Sequence, residues 1–346
     1  MPRTAIALAS ALALASCSGT GTSSPSPTPE PSASGTSASA TVQTVEREKT
    51  IAVDWLSPGR RWMTEWRLGY GSGRQDLGIE RFHDQEPIVP SAVAALPDGS
   101  FAVVDPGRRR VVAVSADGVV GRRIVEVPQV ASDIAWDQAH QRLVIIADES
   151  AGELVEIPAD GAPSTVELGR PVARLTSADG DVYEGGPSST DEFSPLPAPL
   201  GRRQTAAPGG IVLKDGSEVS FSSNQDGSRW RISRSAHWLL GLEFVGKHGP
   251  APVLSLMSDL LVTGSTLVTA ALVGTFATGE DLSRQLLVVR VDLETGDLID
   301  ATHLRQCGLS QEENVVSRIT ASADGTIHQF CVGPHGVELR REPSAG

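Results

Sequence analysis

The sequence predicts an all-β fold, a β-propeller of about six blades with seven as the alternative, and three observations favour it. Short apolar runs alternate with tight turns, this unit recurs with a period of 43 residues, and the middle run of each unit is apolar at consecutive positions. Repeats of about 40 to 45 residues with several short strands are typical of propeller blades. Helical repeats of similar length would instead space their apolar residues three and four apart.

The clearest unit spans residues 91–118. Its three apolar runs span residues 92–96, 101–104 and 111–114. The turns between them are Pro97-Asp98-Gly99-Ser100 and Asp105-Pro106-Gly107. Gly tolerates the positive φ of tight turns and Asp can bond nearby backbone, so such turns between apolar runs favour hairpins. The unit is therefore predicted as three antiparallel strands.

A second copy follows at residues 132–161. Asp105 and Asp148 lie 43 residues apart, as do Asp117 and Asp160, so the period holds at two independent landmarks. The middle runs of the two copies are apolar at every position. A strand needs such a run only when both of its faces are covered, as they are between packed blades.

The N-terminus carries a short apolar segment. Residues 1–16 contain Arg3 followed by a run too short to span a bilayer permanently, and the run ends in Leu14-Ala15-Ser16-Cys17. This motif resembles the lipobox of bacterial lipoproteins. The resemblance implies that Cys17 becomes the first mature residue, carries palmitate and other acyl chains, and anchors an extracytoplasmic protein to the cell membrane. An ordinary secretory signal containing a cysteine is the alternative.

Residues 17–45 form the predicted tether. Within them, positions 19–40 hold one charged residue and no large apolar side chain. Nothing there can offset the entropy of ordering, so we expect a disordered linker. The propeller domain is expected over 46–343, and residues 62–68 are the predicted N-terminal strand that completes the last blade.

The turn after the middle strand carries a further resemblance. The segment DPGRRRVVAVSADG resembles the NHL-repeat pattern at Asp105, Arg110, Val111, Asp117 and Gly118. The second unit keeps only Asp148, Asp160 and Gly161. The resemblance covers about two blades and implies a divergent member with a propeller fold.

The later blades are less regular. Residues 185–210 are rich in Pro and Gly and are predicted as an inserted loop, either a mobile segment or a binding loop. A fourth blade is expected at 210–245, a fifth at 254–304 and the last at 317–341.

Two cysteines remain once Cys17 is lipidated, namely Cys307 and Cys331. An oxidising extracytoplasmic compartment favours a disulfide between them, which would close a loop of about 25 residues. Two free thiols are the alternative.

The net charge of −13 argues against nucleic acid as a partner, since binding it requires a concentrated basic footprint. The basic run of note is Arg108, Arg109 and Arg110. It is interpreted as a surface loop, with contact to anionic lipid or an envelope polymer as the sharper alternative.

No catalytic, metal-binding or cofactor-binding residue is predicted. The seven His are scattered singly, none at zinc-ligand spacing, and no G-x-S-x-G motif occurs. A Ser-His-Asp set remains open, because its members need only meet in space.

We therefore expect a monomeric, lipid-anchored propeller that binds or scaffolds a protein or an envelope polymer. Its candidate interaction face carries residues 105–110, residues 148–152 with Asp148, and the insertion 185–210. The alternative is an enzyme with its site on the central channel. Several six-bladed propellers are metal-dependent, gluconolactonase-like hydrolases or quinone-dependent sugar dehydrogenases.

Overall fold

The structure, a computed structural model, describes most of the chain from residue 49 onward. The described residues are 49–54, 62–83, 87–178, 180–185, 193–196, 211–223, 229–235, 237–245, 254–275, 283–304, 307 and 318–342. Cys17, the predicted signal peptide and the predicted tether lie outside them.

The described chain is almost entirely β-strand, as predicted, with a short 3-10 helix at Pro106–Arg108. Within the described ranges, no helix has the length and apolar character needed to cross a membrane.

The first two sheets are four-stranded antiparallel meanders in chain order. Their strands are β3 (Ala92–Ala95), β4 (Phe101–Asp105), β5 (Arg110–Val114), β6 (Val120–Glu126), β7 (Asp133–Asp137), β8 (Arg142–Asp148), β9 (Glu153–Pro158) and β10 (Ser164–Glu167). The middle strands β4 and β8 are buried at nearly every position, which confirms that both of their faces are covered. Asp105 ends β4 and Asp148 ends β8, so these landmarks of the period occupy equivalent places.

The next strands form two further meanders. They are β11 (Arg174–Ala178), β12 (Asp181–Gly185), β13 (Phe193–Pro195), β14 (Ile211–Val212), β15 (Glu218–Ser223), β16 (Arg229–Arg234) and β17 (Trp238–Val245). The prediction that 185–210 is unpaired loop is wrong at β13, which pairs antiparallel with β12. β13 has only three residues and lies in a segment rich in Ser and Pro, so it is too short to show the alternation of apolar and polar residues that predicts a strand. The remaining interior of the insertion, 186–192 and 197–210, lies outside the described residues.

The last seven strands begin with three long ones of ten residues each, and the remaining four are shorter. They are β18 (Leu254–Thr263), β19 (Thr266–Thr275), β20 (Ser283–Asp292), β21 (Leu298–Leu304), β22 (Arg318–Ala321), β23 (Ile327–Gly333) and β24 (Gly336–Arg341). β20 pairs antiparallel with β21 around the turn at residues 294–296, within the expected fifth blade.

Two N-terminal strands join sheets made by much later residues. β2 (Met63–Gly69) pairs antiparallel with β24, with Leu68 opposite Val337. This confirms the predicted strand that completes the last sheet. β1 (Lys49–Asp54) pairs parallel with β17, with Ile51 opposite Leu242, in a segment the sequence left irregular.

Five first strands, β3, β7, β11, β18 and β22, meet in a closed cycle. β3 contacts β7, β7 contacts β11, β18 contacts β22 and β22 contacts β3. β11 and β18 pair directly in parallel through Ser177 opposite Leu261 and Ala178 opposite Val262. Antiparallel sheets whose first strands surround one axis form a β-propeller. The number of blades in the whole chain stays a prediction.

Side chains reinforce this cycle with hydrogen bonds between neighbouring sheets. Ser91 Oγ donates to Ala131 O at 2.9 Å, Leu175 N to Asp133 Oδ2 at 2.7 Å, Thr176 Oγ1 to Leu260 O at 2.9 Å, and Ala95 N to Thr320 Oγ1 at 3.3 Å.

Apolar side chains fill the spaces between adjacent sheets. Trp66, Phe101, Phe330 and Leu339 pack together where the last sheet meets the first. Trp230 and Phe244 of the β14–β17 sheet belong to a cluster that extends on both sides, to β12 and to β18–β20. The sheets are therefore held face to face by burial of apolar surface.

Candidate functional site

The turns between the first and second strands of the sheets converge on one cavity of about 400 Å³. Leu96, Gln138, Gly180, Lys214, Gly264 and Ser322 represent these turns. The inner strands supply an apolar wall below them, including Val93, Leu175, Leu261 and Ile319. The cavity lies on the propeller axis and has the volume of a small-molecule site.

Three of these turns share one reinforcing contact. Ser100 donates its backbone N–H (3.0 Å) and its Oγ–H (2.6 Å) to Asp98 Oδ1, and Ser217 does the same to Asp215 Oδ1 at 2.9 and 2.6 Å. Thr326 N donates to Asp324 Oδ1 at 3.0 Å. These bonds favour the ionised carboxylates, so they lower the pKa of all three Asp, that of Asp215 to about 2. The cavity rim is therefore fixed at neutral pH.

The wall carries few charges. Among its described residues, Lys214 is the one Lys or Arg and Asp133 the one Asp or Glu. Asp133 is buried and accepts hydrogen bonds from the backbone N–H groups of Ile134 and Leu175. Lys214 lies on an exposed turn. The described wall therefore combines apolar side chains with one exposed cation and one buried, hydrogen-bonded carboxylate.

A chain of three polar side chains begins at the cavity. Ser322, on the wall, lies with its Oγ 2.6 Å from His328 Nε2. His328 Nδ1 lies 2.9 Å from Glu65 Oε2. Ser322 follows β22, His328 is on β23, and Glu65 is on β2 at an irregularity in the β2–β24 register. Phe101 of the first sheet packs edge-on against the imidazole, with ring centroids 5.1 Å apart.

The chemistry of the three groups fixes the direction of the hydrogen bonds. The Glu65 carboxylate can only accept, so Nδ1 of His328 carries a proton and donates it. Nε2 of the neutral ring is then the acceptor for the Ser322 hydroxyl. Burial lowers the pKa of His328 below its usual 6.5, and this outweighs the opposing effect of the Glu65 carboxylate. The imidazole is therefore a neutral base at pH 7.

The residues predicted for partner binding in the first unit make contacts within the chain. Asp105 is fully buried; its Oδ1 accepts from Gly78 N at 2.8 Å and its Oδ2 from Arg110 Nε at 2.9 Å. Arg110 also donates to Asp76 O at 2.9 Å. Arg108 donates to Gly73 O at 2.9 Å and to Gly71 O. Asp105 therefore supports the turn and cannot itself touch a partner.

Arg109 and Asp148 are more accessible. Arg109 is exposed, and its Nη2 lies 3.3 Å from Gln129 Oε1. Asp148 accepts from Ser150 Oγ at 2.7 Å and Ser150 N at 2.9 Å, which lowers the pKa of its carboxyl. Both turns lie at the ends of β4 and β8 opposite the cavity turns. Their role in partner binding stays a prediction.

One described group has the composition of a metal site. Asp137, His140 and Asp181 bring their ligand atoms within 4.8 Å of one another. His140 Nδ1 lies 3.0 Å from both Asp137 oxygens, and Arg142 Nε donates to Asp137 Oδ2 at 2.6 Å. Ion pairing and hydrogen bonding account for this cluster.

The predicted cysteine pair is joined. Cys307 and Cys331 form a disulfide with their Cα atoms 5.1 Å apart. Both are buried, and Gln329 Nε2 lies 3.1 Å from Cys307 Sγ.

Sequence reasoning missed Ser322, His328 and Glu65, although comparison of the units holds a signal for two of them. The turn Leu96-x-Asp-Gly-Ser recurs as Leu213-x-Asp-Gly-Ser and Ser322-x-Asp-Gly-Thr. Ser322 thus replaces the leucine of these two turns and matches Ser177 of a further copy, Ser177-x-Asp-Gly-Asp. His328, two residues after the turn, stands where the two leucine-containing units have Ala102 and Val219.

Comparisons with known proteins concern the fold alone. No family model and no curated protein matches the chain. A gluconolactonase from Xanthomonas campestris is 14% identical, with a TM-score of 0.40, over 83% of this chain and 99% of that chain. A PQQ-bound aldose sugar dehydrogenase from Streptomyces coelicolor is 16% identical, with a TM-score of 0.44, over 82% and 99%. A virginiamycin B lyase from Staphylococcus aureus is 9% identical, with a TM-score of 0.42, over 78% and 99%. The chain is a β-propeller, and these structures are similar to it at low identity.

Proposed function

We propose that this protein is a lipid-anchored, extracytoplasmic binding module whose axial cavity holds a small, partly apolar anion. One observation carries the proposal: the first turns of the sheets converge on a cavity of about 400 Å³ with an apolar wall and Lys214 at its rim. Ligand sites of this size combine apolar walls with a few placed polar groups. The three Asp-fixed turns supply a preorganised rim, which reduces the entropy lost on binding.

The cavity is tested with 1-anilinonaphthalene-8-sulfonate, an anionic aromatic dye. We expect saturable fluorescence enhancement with one dye per folded domain. Lys214→Glu should weaken binding about tenfold, since reversing one charge near the anion costs on the order of 1.4 kcal/mol. Arg81→Glu, an exposed charge reversal away from the cavity wall, is the control. Equal affinity of the two variants, or no saturable binding, contradicts the proposal.

The anchor belongs to the same proposal and rests on Leu14-Ala15-Ser16-Cys17. Two or three acyl chains on one cysteine hold a protein firmly, because each buried methylene contributes about 0.8 kcal/mol. The full chain, produced in bacteria fed an alkyne analogue of palmitate, should incorporate the label and sediment with membranes. Cys17→Ala should lose both properties, while Cys307→Ala keeps the label. Labelling that persists in Cys17→Ala excludes this anchor.

A further inference from the structure

We propose that Ser322 is the nucleophile of an acyl-transfer site, and that the protein hydrolyses small carboxylic esters in its axial cavity. This inference rests on the proposed function in one respect, since the ester must occupy the same cavity. In addition to binding a ligand in the cavity, the protein cleaves the ester bond of that ligand.

Ser322, His328 and Glu65 have the geometry of a catalytic triad. A nucleophilic serine requires a base within hydrogen-bond reach, and the base requires a group that orients it. Ser322 Oγ lies 2.6 Å from His328 Nε2, and His328 Nδ1 lies 2.9 Å from Glu65 Oε2. Ser322 lines the cavity, so a bound ester can reach its hydroxyl while the base and the carboxylate lie behind it.

Two other units form the same hairpin without polar groups at these positions. Leu96 and Leu213 stand at the position of Ser322, and Ala102 and Val219 stand at the position of His328. These apolar side chains are buried or nearly so. The unit of β11 and β12 has Ser177 and Tyr183 at the two positions, so His328 is the one imidazole among the four aligned units. A buried imidazole costs free energy that an apolar residue does not. A chemical role of His328 accounts for a buried imidazole at this position.

The charge state of His328 suits a general base. The groups that act on His328 are Glu65 and Asp324, which favour the imidazolium, and Arg341, which opposes it. Phe101 covers the ring on the side of the first sheet. Burial prevails, so the pKa of His328 is lowered and the ring is ready to accept a proton at neutral pH.

The reaction balances without a metal or redox partner. Ser322 Oγ attacks the ester carbonyl carbon while its proton moves to His328 Nε2. The tetrahedral intermediate collapses, and the leaving alkoxide takes that proton and departs as the alcohol. Water then attacks the acyl-serine, again with His328 as base, and releases the carboxylic acid and the free hydroxyl. Glu65 is a positioning residue, because it acts through the imidazole.

The cavity limits the substrate. A cavity of about 400 Å³ with apolar side chains in its wall accommodates a small ester. Lys214 at the rim favours an ester that carries a second, negatively charged group.

The test is covalent labelling of the purified folded domain with a small alkyl fluorophosphonate. Ser322 Oγ should displace fluoride, and intact mass should show one adduct that peptide mapping places on Ser322. Ser322→Ala should lose the adduct. Ser115→Ala, which removes a serine of the β5–β6 turn that does not line the cavity, should keep it. Because mapping uses the unaltered protein, the result does not depend on whether a variant folds.

The variant Glu65→Gln distinguishes a role of Glu65 in positioning the His328 imidazole from a purely structural role. Removing the carboxylate that raises the pKa of His328 should shift the pH midpoint of the labelling rate downward, and a purely structural role would leave the midpoint unchanged. Absence of the adduct, or an adduct elsewhere, overturns the inference. If the dye still binds in that case, the cavity remains a ligand site without chemistry; if neither reagent binds, the proposed function fails as well.

Discussion

At the residue scale, His328 makes stability depend on pH. Its pKa is lowered in the folded protein, so the unfolded chain binds the proton more tightly. The free energy of unfolding should therefore fall as the pH drops below about 6.5, with a slope of at most about 1.4 kcal/mol per pH unit. Urea unfolding between pH 5 and 7 measures it.

The variant His328→Gln should lose this component of the slope. His335→Gln, which removes an imidazole from an exposed turn, is the matched control. Identical slopes in the wild type and His328→Gln would show that protonation of His328 is not coupled to folding.

Ser322 and His328 could be identified from the sequence, whereas Glu65 could not. Ser322 and His328 depart from the apolar residues at the same positions of the first and β14–β17 sheets, so aligning these units can find them. Glu65 is 263 residues from His328. Only the pairing of β2 with β24 brings it near, and no local pattern encodes that approach.

At the element scale, the disulfide stabilises the last sheet. It links β23 to Cys307 across a sequence separation of 24 residues. In the chain-entropy account, closing such a loop in the unfolded state contributes about 3 kcal/mol. Cys331→Ala should lower the free energy of unfolding by about that amount in urea titrations.

A reduced sample of the wild type is the control for that substitution. It should show the same loss when unfolding is followed in the presence of reductant. If neither treatment changes the midpoint, the cysteine pair contributes nothing to stability.

Strands with strong local signals were predictable, and strands without them were not. β4 and β8 follow Asp-Gly or long polar turns, and all their residues are apolar except the charged ones at their ends. β13 is three residues long, and β1 owes its conformation to a partner almost 200 residues later. Short edge strands depend on the sheet they join more than on their own side chains.

At the scale of the whole molecule, the repeat predicted the ring but not its detailed closure. The period of 43 residues fixed the unit, and burial on both faces implied neighbours on each side. The direct pairing of β11 with β18, on either side of the β14–β17 sheet in sequence, had no counterpart in the pattern. The axial cavity arises from that arrangement, so its polar residues could not be grouped in advance.

The pairing of β2 with β24 also has a consequence for biogenesis. Residues 63–69 leave the ribosome among the first of the domain and must wait for residues 336–341 before they acquire a partner. Contacts this distant in sequence form slowly, and an unpaired strand edge is prone to aggregate meanwhile. The last sheet therefore cannot be completed until translation of the domain has almost finished.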